Sequence, residues 1–333
     1  MRVLMIVDME GASGITTPRR SWVFNGTEDW ERFGRDRITA DVAAASRGAL
    51  AGGAEGVSII DFHNQRNSIR AEALPGGAVI ARFDDYPVPL GGINRSHELL
   101  FLVGFHAKAN APGILAHTIN DPIDDVRVNG RSVGEIGMFA GSCGTLGLRA
   151  VLVTGDRTAC DEARSLSPGI VVAAVKERLA DGTETTLPDE ETAALISTRA
   201  QEAVREGQAV DPLDLGRPVR LEVALRRPEL TDFALPPYFE RVDERTLGAW
   251  APDTYYAVTL VYALGPLYMT CYERLMEDDQ RWWAGLKARY PSQVWESPEL
   301  ASAREQHGLT HWMGYWTGDR RRAMEQLLDR LAR

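Results

Sequence analysis

The chain opens on a run of branched apolar residues, Arg2 to Val7, that shows no polar alternation and stops at two acids, Asp8 and Glu10. A short unalternating run is what a strand buried on both faces requires, and such strands belong to parallel sheets covered by helices. The pattern returns. Val57 to Ile60 is a second strand that delivers Asp61 and His63 at its end, and Leu99 to Val103 a third, after which Gly104 turns the backbone and His106 follows. A polar loop with Pro18, Trp22 and Asn25 precedes a helix whose apolar positions Ile38, Val42, Ala45 and Ala49 recur at helical spacing until Gly52-Gly53 stops it.

Asn129-Gly130, set between alternating residues from Val126 to Val133, predicts a hairpin with a type I′ turn that leads into Glu135. A small-residue helix through Gly147 and strands at Ala150 to Thr154 and Ile170 to Val175 follow. Repetition of strand, helix, strand predicts an α/β fold of three layers around a mostly parallel central sheet. The polar stretch Asp181 to Pro188 marks the expected domain boundary, with Pro188 and Asp189 opening a helix to about Glu206. Beyond it lie a strand at Val219 to Leu225 and a helix from Pro252 that is expected to break at Gly265-Pro266. The expected domains are residues 1–185, the α/β metal-binding and catalytic domain; 186–275, a smaller α+β domain; and 276–333, a helical C-terminal extension. That extension is rich in Trp (Trp282, Trp283, Trp295, Trp312, Trp316) and is expected to cover a subunit interface or lid a chamber, unless its helices simply pack on their own domain.

A formal charge of −10 argues against a nucleic-acid or anionic-membrane partner, because phosphates attract clustered Lys and Arg. Cys143, Cys160 and Cys271 are odd in number and widely spaced, which suggests neither a disulfide framework nor a zinc knuckle and places the protein in the reducing cytoplasm. The apolar run after Arg2, Val3 to Val7, is far too short for a signal peptide, and no later run approaches membrane-spanning length.

In a parallel α/β sheet the carboxyl ends of the strands open onto one crevice, so Asp8, Glu10, His63 and His106 can meet there, with Glu135 closing the set. If extended geometry continues through Met9, the carboxylates of Asp8 and Glu10 project to the same side. Three carboxylates in one crevice repel and are costly to desolvate unless a cation compensates them. Two zinc ions per subunit carry four positive charges, which three carboxylates and a bridging hydroxide balance, with neutral His63 and His106 completing the shell. Taken one at a time, each histidine is better read as a hydrogen-bonded core or rim residue, and strand-end acids are often caps or turn formers. Their joint placement favours metal.

Three other patterns carry less. Gly141-Ser142-Cys143-Gly144 lacks nucleophile-elbow spacing and reads as close packing in a helix. The glycines from 141 to 147 miss the dinucleotide fingerprint, and no Walker motif occurs. His307 and His311 would share a helical face, but Gly308 weakens that helix and no acid follows His307, so a solvent or interface role is favoured over metal.

At Val7-Asp8-Met9-Glu10-Gly11 the chain resembles the D-aminopeptidase family of binuclear zinc peptidases. The likeness continues through Asp61-Phe62-His63, Gly104-Phe105-His106-Ala107, His117-Thr118, Val133-Gly134-Glu135-Ile136-Gly137, Val153-Thr154-Gly155-Asp156 and Ala173-Ala174-Val175-Lys176. The resemblance implies that Asp8, Glu10, His63, His106 and Glu135 hold two zinc ions and that His117 is catalytic. It also implies a homo-oligomer of stacked pentameric rings, a decamer, which encloses the active sites and admits short peptides. Where the family usually has Ser before the strand-end His this chain has Phe62, and Asp156-Arg157 stands where paired acids are common. Compact members have no counterpart of the tail from about residue 276.

The reaction expected is release of N-terminal D-amino acids from short peptides or aminoacyl amides. Two metals polarise the scissile carbonyl and lower the pKa of a bridging water, and His117 serves as general acid or oxyanion stabiliser. Lys176 is a candidate contact for a substrate carboxylate, or else a structural lysine. A specialised amidase acting on an unusual peptide or natural-product intermediate is the alternative, and a non-catalytic peptide-binding module a further one.

Overall fold

The computed structural model describes residues 1–16, 29–63, 67–81, 93–120, 122–232, 235–295, 297–298, 300 and 318–332. Pro18, Trp22, Asn25, His307, His311, Trp312 and Trp316 lie outside them. The elements in chain order are β1 (Arg2–Val7), α1 (Arg35–Ala51), β2 (Gly56–Asp61), β3 (Ala78–Ile80), β4 (Leu99–Phe105), β5 (Ile123–Val128), β6 (Arg131–Ser132), α2 (Glu135–Thr145), β7 (Arg149–Asp156) and α3 (Arg157–Leu166). They continue with β8 (Val171–Arg178), β9 (Glu184–Thr186), α4 (Asp189–Glu206), β10 (Val219–Leu225), β11 (Glu240–Arg241), β12 (Thr246–Ala251), α5 (Thr254–Arg289), α6 (Ser292–Trp295) and α7 (Gly318–Leu331).

Seven strands form the main sheet in the order β3-β2-β1-β4-β7-β8-β9, parallel except for β9, which runs against β8. Helices α1 and α4 pack on one face, and α2 and α3 on the other, so the protein is a three-layer α/β fold with a mostly parallel sheet. The unalternating runs are buried as two-sided strands must be: every residue of β4 is buried, and only Arg2 of β1 is exposed. Val3, Met5, Val7, Val42, Ala45, Phe101, Val103, Ile196 and Ala200 join in one apolar core. Because small residues line α1, it approaches α4 closely; a Cβ at Gly48 would sit 2.2 Å from the carbonyl oxygen of Ser197.

Asn129 (φ 51°) and Gly130 (φ 77°) both occupy the left-handed region, as the I′ hairpin joining β5 to β6 demands. That hairpin belongs to a second, antiparallel sheet ordered β11-β12-β10-β5-β6. The sheet therefore unites strands from both sides of the boundary expected near residue 185.

Two compact units result, residues 1–268 and 269–333. The expected break at Gly265-Pro266 does not occur, and α5 continues through it. Proline forfeits one hydrogen bond within a helix while its φ remains helical, so it need not end one. In the second unit Leu286, Tyr290, Val294, Leu300, Met324, Leu327 and Leu328 form a small core against which Trp282 and Trp295 pack. The Trp282 indole donates to Glu325 Oε1 at 2.9 Å, so this tryptophan packs within its own unit. Among the described residues no helix is long and apolar enough to cross a membrane.

Strand order reverses at β1, whose neighbours β2 and β4 lead to opposite edges of the sheet. Ligands bind at such switch points, outside the carboxyl ends of the strands. The loop after β1 is seated there by close contact: a Cβ at Gly11 would fall 1.9 Å from the Phe105 carbonyl oxygen. Gly11→Ala is expected to destabilise the fold by about 2 kcal/mol or more, the order found when a packed site is overfilled. Thermal unfolding measures this, and an unchanged midpoint contradicts the packing account.

Candidate metal centre

The three strands that meet at the switch point carry the first four candidate groups. Asp8 follows β1, its N–H donating to Val103 O at 2.9 Å, and Gly11 N–H donates to Gly104 O at 2.8 Å, which lashes the loop to β4. Extended geometry does not continue through Met9, so that condition is not met. The chain bends there, with Ala12 N–H closing a turn onto Met9 O at 3.0 Å, and the turn rather than the pleat aims Asp8 and Glu10 the same way. Phe62 N–H pairs with Val7 O at 2.9 Å, bringing His63 alongside. Gly104 adopts φ +76°, and a Cβ there would meet the Asp8 carbonyl oxygen at 2.2 Å. His106 follows two residues later. Glu135 is the first residue of α2, where the helix dipole favours an anion.

All five side chains are buried, and they converge. His63 Nδ1 lies 3.1 Å from Asp8 Oδ1 and 3.0 Å from Glu10 Oε2. His106 Nε2 lies 3.2 Å from Asp8 Oδ2 and 3.3 Å from Glu135 Oε1. Asp8 thus offers one oxygen to each of two groups: Asp8, Glu10 and His63 on one side, and His106 with Glu135 on the other. His117 joins the second, since ligand-type atoms of His106, His117 and Glu135 lie within 4.8 Å of one another. Its ring stacks on that of His106 with centroids 3.9 Å apart and planes 11° from parallel.

Hydrogen bonds fix which ring nitrogens face the crevice. His106 Nδ1 is 2.9 Å from Ala107 O and His117 Nδ1 is 2.9 Å from Leu115 O, so each Nδ1–H donates to backbone and each Nε2 is the nitrogen turned to the crevice. The loop carrying His117 holds two uncommon backbone conformations, Leu115 at φ 55° and Ile119 at φ 64°. Such residues persist only where the surroundings over-determine them. Here Leu115 supplies the carbonyl that orients His117, and Ile119 N–H donates to Glu135 Oε1 at 2.8 Å.

Burial alone would lower the pKa of His63, but Glu10 and Asp8 overcome it and hold the imidazole well above its ordinary value. Burial likewise opposes the charge on His106, and Glu135 and Asp8 overcome it in the same direction. Burial would raise Asp8, yet His106 and His63 bring it below the usual carboxylate range; Glu10 is lowered mainly by His63 and Glu135 mainly by His106. The crevice therefore stabilises positive charge among three carboxylates. Asp8 Oδ2 and His106 Nε2, though close, lack hydrogen-bond geometry, and among the described residues neither atom has a hydrogen-bond partner. Buried polar atoms that face one another without a hydrogen bond are what a cation between them would satisfy. Oxygen and imidazole donors in this number fit zinc.

Lys176 has partners other than the substrate carboxylate weighed above. It is buried at the end of β8, and its ammonium donates to the backbone carbonyls of Glu10 and Ile15. Burial pushes its pKa down to about 8 against the pull of Asp156, Glu10 and Asp41. Asp41 of α1 accepts from Ser13 N–H at 2.9 Å and Ser13 Oγ at 2.8 Å, anchoring the same loop. Asp156 caps α3 at Ala159 and accepts from Ile114 N–H at 3.2 Å, in the loop that bears His117. Sequence reasoning missed Asp41 and gave Asp156 no role. An acid on an otherwise apolar helical face was the signal available for Asp41. Ser142 and Cys143 are buried within α2, where Gly144 abuts Leu213, in keeping with close packing.

A family profile described as D-aminopeptidase matches residues 1–263. A curated D-aminopeptidase of Bacillus subtilis (strain 168) is 29% identical over 214 residues, which is 64% of this chain and 77% of that protein. Among solved structures, one described as the zinc-dependent D-aminopeptidase DppA from Bacillus subtilis, a self-compartmentalizing protease, superposes with a TM-score of 0.76 at 26% identity. It covers 81% of this chain and 98% of its own.

Proposed function

Because this chain belongs to the D-aminopeptidase family, we propose that it is a zinc-dependent peptide hydrolase that removes N-terminal D-amino acids from short peptides or aminoacyl amides. The observation that carries this reading is the meeting of Asp8, Glu10, His63, His106 and Glu135 at the sheet's switch point as two groups sharing Asp8. Asp8, Glu10 and His63 would hold one zinc ion, and Asp8, His106 and Glu135 the other. Bound zinc supplies a Lewis acid for the scissile carbonyl and lowers the pKa of water towards neutrality. His117, half-buried beside the second group with Nδ1–H committed to Leu115, presents Nε2 to take up a proton and, once protonated, to pass it to the departing amine or donate a hydrogen bond to the oxyanion. Backbone bonds from Ala107 and Leu115 keep both imidazoles in the tautomer this requires.

Assembly as a homo-oligomer, a decamer of stacked pentamers, would place the sites inside a chamber, and the relative described as self-compartmentalizing supports this. The three scattered cysteines, two of them buried and unpaired, support a reducing, cytoplasmic setting.

Phe62 favours a second reading, a specialised amidase for an unusual substrate. Its ring packs edge-on against Phe139 at 4.7 Å and Tyr262 at 5.1 Å, which puts aromatic bulk beside His63. One assay separates the two. D- and L-aminoacyl amides are offered to protein stripped by chelator and to protein reloaded with zinc. Zinc-restored hydrolysis of the D series is the expected result. Inactivity on every simple amide with zinc bound favours the specialised amidase, and activity indifferent to chelation contradicts both.

A further inference from the structure

Two side chains outside the ligand set bind backbone at the segments that bear the ligands, one for each half of the centre. The first is Glu162 on α3. Its Oε2 accepts from Lys108 N–H at 2.9 Å and its Oε1 from Gly134 N–H at 3.2 Å. Lys108 lies two residues beyond His106, and Gly134 is the residue before Glu135. One carboxylate thus fixes the separation of two segments whose side chains approach to 3.3 Å at His106 Nε2 and Glu135 Oε1. The fit is close, since a Cβ at Gly134 would lie 2.6 Å from both Glu162 Oε1 and Lys108 Cβ. A charged acceptor shared by two N–H groups makes stronger bonds than a neutral one.

The second is Lys176, whose ammonium donates to the carbonyls of Glu10 and Ile15. It ties the loop after β1 to β8 at Glu10 and Ile15, whereas Asp8 is held to β4 by its own N–H on Val103 O. The two clamps therefore act on different elements.

We propose that Glu162 and Lys176 are positioning residues that preorganise the metal centre by halves, Glu162 the His106–Glu135 half and Lys176 the Asp8–Glu10–His63 half. The inference rests on the two-zinc reading above. Glu162→Gln replaces one oxygen by an amide NH2, so one of the two backbone N–H groups faces a donor instead of an acceptor. Lys176→Met keeps the length of the side chain and removes both bonds to the loop.

The test measures zinc binding to the full chain by competition with a chromophoric chelator, with circular dichroism and thermal melting to report the fold. Two zinc ions are expected on the unaltered chain. E162Q should weaken one of the two sites by about tenfold to a hundredfold, the range seen when groups orienting metal ligands are changed, and leave the other nearly unchanged. Half-specificity is read in the His63→Ala background, which removes the first half: there E162Q should still weaken the remaining site and K176M should not. Should E162Q fail to fold, Gly134→Ala, which drives Glu162 Oε1 from the backbone, should produce the same one-sided loss. Two native affinities in a folded E162Q chain, or equal weakening of both sites by either variant, overturn the clamp and leave the zinc reading standing. An unaltered chain that binds no zinc overturns the zinc reading and the clamp with it.

Discussion

Asp8→Asn is expected to lower kcat/KM by about a thousandfold or more and to reduce the zinc content from two ions per chain to at most one. Among the described residues Asp8 is the one carboxylate that reaches both groups, with Oδ1 3.1 Å from His63 and Oδ2 3.2 Å from His106. Asparagine keeps the shape but turns one of these oxygens into an NH2 donor and removes the charge shared between the halves. Metal assistance in amide hydrolysis contributes several kcal/mol to the transition state, and each ~1.4 kcal/mol is tenfold in rate, which sets the size of the loss. Elemental analysis run beside the assay identifies the cause. An Asp8→Asn chain with two tightly held zinc ions and native turnover shows that Asp8 does not join the groups.

His117→Ala is expected to lower kcat by about a hundredfold to ten-thousandfold, the usual contribution of a positioned proton donor or acceptor, with KM little changed. The two zinc ions should stay. That last outcome matters because His117 lies close enough to His106 and Glu135 to serve as a ligand itself. If the substitution removes one zinc ion, His117 holds metal and the proton is handled elsewhere. If turnover is unaffected, neither role stands. The stacked, nearly parallel rings of His106 and His117 support a proton-handling role, because a ring held by a backbone carbonyl at Nδ1 can keep Nε2 facing the substrate while its neighbour coordinates.

Much of the main sheet was legible because strands buried on both faces are written as apolar runs, unbroken in β4 and after Arg2 in β1, and interrupted only by Ser58 between Val57 and Ile60 of β2. The hairpin at Asn129-Gly130, helix α4 and strand β10 were legible for similarly local reasons: positive φ, a proline-acid start and period-two alternation. Pairing between elements far apart in the chain was not. β10 pairs with β5 across roughly a hundred residues, and no local preference announces that partnership. Nor could the bend at Met9 be foreseen, since it depends on the contact of Gly11 with Phe105.

The candidate ligands stood out through type and place, acids and imidazoles where apolar runs end. The groups that support them did not. Glu162 sits on an amphipathic helix, where an acid reads as a solvated residue until its two backbone partners are seen. Lys176 reads in the sequence as a contact for a substrate carboxylate or a structural lysine, and its hold on the loop after β1 is seen only where its buried ammonium meets two carbonyls. What a residue is made of can be read in isolation, whereas what it holds depends on the elements that the topology brings beside it.

The central claim is that two cations sit at the carboxyl ends of β1, β2 and β4, joined by Asp8. X-ray diffraction at the zinc absorption edge from crystals of the zinc-loaded protein tests it most directly. The account expects two anomalous peaks per chain, one among Asp8, Glu10 and His63 and one among Asp8, His106 and Glu135. No peak at either place, or zinc bound only elsewhere on the chain, contradicts it.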